Sequence, residues 1–114
     1  MTTAAVEVVI GVIPSAKTKT GMFSTAAYTL VVTNYRLIFA ESPGNGFVDP
    51  SQVRQLKVER KWRSAGSDDD NSQAYLRIII ETTAGKTTYD TDGETPNAND
   101  AKLLFSRTFG ALVR

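Results

Sequence analysis

The sequence predicts a mainly β domain, six or seven antiparallel strands followed by one C-terminal amphipathic helix. Three observations carry that expectation. Tyr28 to Ala40 holds two β-rich runs around a two-residue break at Asn34-Tyr35; Tyr28, Leu30 and Val32 alternate on the first run, Leu37 and Phe39 on the second. Ala74 to Thr82 places Leu76, Ile78 and Ile80 on one face, and Ala84-Gly85 turns it into Thr87 to Thr91, a second hairpin. Residues 101–112 change period: Ala101, Leu104, Phe105, Thr108 and Leu112 follow the three-four spacing of one buried helical stripe.

The remaining elements follow in chain order. Val6, Val8, Ile10 and Val12 share one face at period two, so residues 6–13 read as a strand that Pro14 ends; a buried helical turn fits so short a run as well. Ser15 to Thr25 is a polar connection with one apolar pair, Met22-Phe23. After the hairpin of residues 26–41, Ser42-Pro43-Gly44-Asn45-Gly46 is a dense turn signal before a short strand at Phe47-Val48. Asp49-Pro50 resembles a helix start, but Leu56, Val58 and Trp62 alternate with Lys57, Glu59, Lys61 and Arg63. The alternation favours a strand through Trp62, with one helical turn at most around residues 50–53. Ser64 to Gln73 is a solvated loop with three consecutive Asp, and Gly93 to Pro96 is a second loop. Asn97 or Asn99 then caps the helix, whose stripe Leu103 and Phe109 widen.

Composition narrows the chemistry. A chain of 114 residues fits a single domain spanning 1–114. It has no cysteine and no histidine, which removes disulfides, thiolate nucleophiles, the commonest general base and the commonest zinc ligands. Net charge is +1, with eight basic and four acidic side chains in residues 1–66 against five and eight in 67–114. Bulk electrostatics therefore disfavours nucleic acid as a partner. The start Met-Thr-Thr-Ala-Ala-Val-Glu lacks the basic and apolar regions of a signal peptide, and no apolar run is long enough for a membrane helix. A cytoplasmic protein is the expectation.

Thr33, Asn34, Arg36, Leu37, Ile38 and Phe39 match a Leu-x-Leu-Thr-Asn/Asp-x-Arg-Leu-Ile-Phe hairpin, and Pro50 to Arg63 reads as a Pro turn leading into a basic strand. With the closing helix, these features resemble the pleckstrin-homology-like (PH-like) superfamily, in particular its bacterial PH and GRAM-type members. The resemblance implies a partly open barrel capped by the C-terminal helix. It implies no single ligand, because this fold hosts lipid, peptide and protein binders alike. Arg36 and Asn34 then read as structural turn residues, Arg36 pairing with a carboxylate or with backbone carbonyls.

Two basic clusters are candidate sites. Lys17 and Lys19 precede Met22 and Phe23 in the loop after the first strand, where lipid-binding PH domains carry headgroup contacts; the second strand, with Ser24, Thr25 and Ala26, offers no basic partner. The plain alternative is a solvated loop with Phe23 tucked under the barrel. Arg54, Lys57, Arg60, Lys61 and Arg63 form the second cluster; on a strand Lys57, Lys61 and Arg63 share an outward face and Arg60 the other, a stripe that could meet an acidic peptide, a phosphate or nucleic acid, or simply guard a sheet edge. Asp90-Thr91-Asp92-Gly93 echoes part of a calcium loop but meets Thr88 and Asn99 where ligands are needed, and Asp68-Asp69-Asp70-Asn71 lacks a wrapping spacing. No metal or other cofactor is expected, and no nucleophile motif is present. The sequence therefore favours a non-catalytic module for protein association, with itself or another partner, and places peripheral binding of anionic phospholipid second.

Overall fold

The computed structural model describes residues 6–40, 46–63 and 73–114. Its strands are β1 (Val9–Lys19), β2 (Thr25–Thr33), β3 (Leu37–Ala40), β4 (Gly46–Val48), β5 (Val53–Arg63), β6 (Gln73–Thr82) and β7 (Gly85–Asp90). The helix α1 spans Ala98–Phe109 and runs into a short 3-10 turn, Gly110–Leu112. The strands form one antiparallel sheet in the order β4-β3-β2-β1-β7-β6-β5. Most of the expected turn at residues 42–46, the Ser64–Gln73 loop up to Asn71 and Ser72, and the Asp68–Asp70 run lie outside the described residues.

The sheet curls into a half-barrel. Phe39 on β3 stacks on Tyr89 of β7 at 5.3 Å between ring centroids, although two strands separate β3 from β7 in the sheet. Tyr28 of β2 meets both rings edge-on, at 5.9 and 6.1 Å, a geometry that suits the ring quadrupoles. Inside the curl, Ile13, Leu30, Val32, Leu37, Leu56, Leu76 and Ile78 are fully buried. Each contributes roughly 1.5–3 kcal/mol of apolar burial.

The helix plugs the other end of the curl. Asn97 caps it, its side-chain oxygen accepting from the Asp100 amide at 2.9 Å. Ala101, Phe105 and Phe109 are buried against the sheet, and the Thr108 hydroxyl donates to the Thr33 carbonyl at the end of β2. Leu104 lies directly over Gly11 of β1, where any β-carbon would collide with it. Leu103 does not widen the buried stripe: it is 66% exposed, on the solvent side of α1.

The first strand departs most from its sequence pattern. Pro14 does not end it; β1 runs on to Lys19. Its ladder with β2 shifts register between Val9 and Gly11 and again between Ile13 and Ala16, where Ser15 takes φ 56°. An extra residue in a bulge absorbs the missing Pro14 N–H and resets which side chains face inward. Ile13 and Ala16 are both fully buried, while of the face read from sequence Val6, Val8 and Val12 are exposed and Ile10 is partly buried against the core. Lys17 and Lys19 are therefore strand residues on the outer surface, not loop residues. The break between β2 and β3 is also longer by one, Asn34 to Arg36. At the other contested point β5 is a strand from Val53, preceded by one turn at Pro50–Gln52.

Candidate functional site

β1 and β7 share one ladder pair, Lys17 opposite Asp90, and then diverge toward the open end of the half-barrel. The divergence leaves an open depression of about 500 Å³, bordered by Lys17, Lys19, Arg77, Lys86, Thr88 and Asp90. Cross-strand register explains how these meet. Lys17 lies opposite Asp90, Asp90 opposite Arg77 and Arg77 opposite Glu59, so one row of alternating charge crosses four strands of the outer face.

Each charge in that row has a partner, within the row or beside it. Arg77 grips Asp90 with two hydrogen bonds, at 2.9 and 3.1 Å, and the Asp90 carboxylate pushes the guanidinium further above its ordinary range. Lys17 pairs with Asp92 at 3.0 Å. Glu59 takes Lys57 at 2.9 Å and Lys61 at 3.2 Å, and those two ammonium groups, Lys57 first, hold its carboxyl below the usual range. One step nearer the open end the pattern stops. Lys19 and Lys86 have no ion-pair partner among the described residues.

The turn above this depression presents apolar side chains to water. Thr20 N donates to Ser24 O at 3.0 Å and closes the turn, leaving Gly21, Met22 and Phe23 on its crest. Met22 is 86% and Phe23 95% exposed. Phe23 is thus not tucked under the barrel. So exposed an aromatic side chain, on the turn that directly follows Lys19, is a surface feature that burial alone does not explain.

The second basic cluster is divided between two faces. Lys57 and Lys61 flank Glu59 on the outer face, and Arg63 lies over the Tyr75 ring at 4.2 Å while donating to the Thr91 carbonyl. Arg60 lies on the other face, over Trp62 at 4.4 Å and paired with Glu94. Arg54 is exposed at the start of β5.

Asn34 and Arg36 do local work. The Asn34 side-chain oxygen accepts from the Val8 amide at 2.7 Å and its amide group donates to the Val6 carbonyl at 3.0 Å. Arg36 forks onto Glu7 at 2.8 and 3.0 Å and lies over the Phe47 ring. Thr33 adds a hydroxyl bond to the same carboxylate at 2.8 Å. The motif thus ties residues 6–8 across the β2–β3 turn.

No protein-family model matches the chain, and no curated protein matches it. The structure is similar to the solved C-terminal domain of an unknown protein from Leishmania infantum, with a TM-score of 0.59 and 11% sequence identity over 90% of this chain and 84% of that one. At that identity the likeness carries the fold alone.

Lys86 belongs to the depression and the sequence did not single it out. It follows the Ala84-Gly85 turn, and only the meeting of β1 with β7 brings it into one depression with Lys19, 67 positions earlier in the chain. No single-strand pattern encodes such a crossover. Asp90 and Asp92, the acidic pair of the calcium-like stretch, face Arg77 and Lys17, and no group of three metal-ligating side chains gathers among the described residues.

Proposed function

We propose that this chain is a non-catalytic PH-like module that docks on anionic bilayer surfaces through the open end of its half-barrel. The observation that supports it is the exposure of Met22 and Phe23 on the turn that follows Lys19, while Lys19 and Lys86 line one depression and neither meets a carboxylate among the described residues. A lysine near an anionic leaflet contributes about 1 kcal/mol. Insertion of the Phe23 ring adds about 2 kcal/mol of apolar transfer. A total near 4 kcal/mol corresponds to a dissociation constant of about 1 mM, reversible attachment that a further contact would strengthen. Lys17 contributes less, because Asp92 already neutralises it.

Sedimentation with vesicles of phosphatidylcholine, and of phosphatidylcholine with phosphatidylserine, tests this reading. Binding is expected to the anionic vesicles alone, fading as salt is raised. Phe23→Ser and Lys19→Ala/Lys86→Ala should each weaken it, the double variant by about thirtyfold from two lysine contributions, while Lys17→Ala changes it little. Absence of any sedimentation with anionic vesicles at low salt would sink the proposal. Association with a protein partner, the first expectation from the sequence, is favoured by a different feature, the outer edge of β5.

A further inference from the structure

β5 ends the sheet, and its outer edge is partly occupied by the chain itself. The Arg114 amide donates to the Leu56 carbonyl at 2.8 Å, the Val58 amide donates to the Arg114 carbonyl at 3.4 Å, and Val113 bridges Leu56 in parallel. These bonds identify the residues whose backbone groups point outward. In a strand paired on one side the outward groups recur every second residue, so after Leu56 and Val58 come Arg60 and Trp62. Their outward N–H and C=O groups meet no partner among the described residues.

The side chains along this open stretch are Arg60, Lys61, Trp62 and Arg63. Among the described residues two carboxylates pair with these cations, Glu94 with Arg60 and Glu59 with Lys61 and Lys57, so four cations (Lys57, Arg60, Lys61 and Arg63) stand against two carboxylates and the stretch keeps a net positive charge. Trp62 is 59% exposed, with the Arg60 guanidinium over its ring. A second copy paired through the same edge would bring Arg60 to Arg63 against their own counterparts, and such like-charge juxtaposition is costly. An extended segment bearing carboxylates would meet the opposite sign and satisfy four backbone groups.

We infer that the Arg60–Arg63 edge of β5 accepts an extended acidic segment of a partner protein as an added strand, extending the rungs that Val113 and Arg114 occupy. The contact lies apart from the turn at Met22-Phe23 and holds with or without bilayer attachment.

The single tryptophan, Trp62, reports on the site. Intact protein is titrated with a peptide of alternating Glu and Val, with its Lys–Val counterpart, and with a Glu–Val peptide N-methylated at alternate backbone positions. The Glu–Val peptide should shift Trp62 emission saturably and slow exchange of the Arg60 and Trp62 amides by about tenfold. The Lys–Val peptide should do neither, and Lys61→Glu, with unchanged circular dichroism, should weaken Glu–Val binding by about tenfold. Equal binding of the N-methylated peptide would overturn the proposal, because charge attraction alone would then suffice. No emission change with the Glu–Val peptide would also overturn it, as would a dimeric mass by light scattering together with Arg60 and Trp62 amides already protected from exchange without peptide.

Discussion

Glu7 holds more of the β2–β3 turn than its exposed position suggests. Arg36, with help from Thr33, keeps its carboxyl below the ordinary glutamate value of 4.5. A carboxyl with a folded value below its unfolded one stabilises the fold above the unfolded value, and that contribution is lost as pH falls through the folded one. The melting temperature of the native protein should therefore exceed that of Glu7→Gln at pH 7, and the gap should close below pH 4.5. Tyr89 gives the opposite limb. Burial pushes its phenol up from 10.0 to about 12, so its contribution is full below pH 10 and is lost as pH rises toward 12. Tyr89→Phe should flatten the alkaline fall in stability measured by thermal melts. At this scale Arg36 was legible in the sequence as a turn residue because the motif is local. Its partner was not, since Glu7 lies 29 positions away.

The elements themselves were legible wherever period and burial agree. β6 alternates cleanly because its inner face is buried at Leu76, Ile78 and Ile80, and β5 does so where Leu56 and Val58 face the core. The stripe of α1 was readable for the same reason, except at Leu103, where apolar character alone did not decide the face. β1 was misread because a bulge changes parity without changing composition, and nothing in Pro14-Ser15 states that the strand resumes. The seat of α1 on β1 can be tested at Gly11. Gly11→Ala should destabilise the protein by about 1 kcal/mol as Leu104 is forced aside, read by denaturant melts. Leu104→Ala in the same chain should remove the penalty of the added methyl. Asn97→Ala should cost a further ~1 kcal/mol through loss of the cap, without changing vesicle binding.

Across the whole molecule, the curled sheet and its helix depend on each other. Leu30, Val32 and Leu56 are fully buried in the structure that includes α1, so a chain ending after Glu94 should lose fixed packing, bind a hydrophobic dye and show little near-ultraviolet circular dichroism. The architecture was legible in the order of strands and helix, while the site was legible only by halves: the Lys19 and Phe23 side was visible in sequence, the Lys86 side was not. The seam between those halves has a mechanical consequence. β1 through β4 and β5 through β7 form two plates joined along the sheet by one rung, Lys17 opposite Asp90, while α1 packs on β2 from one plate and β5 from the other. The helix is then a clasp and the rung a hinge. Spreading Lys19 from Lys86 loads that single rung of the ladder first, and behind it the rings of Tyr28 and Phe39 that rest on Tyr89 across the same seam.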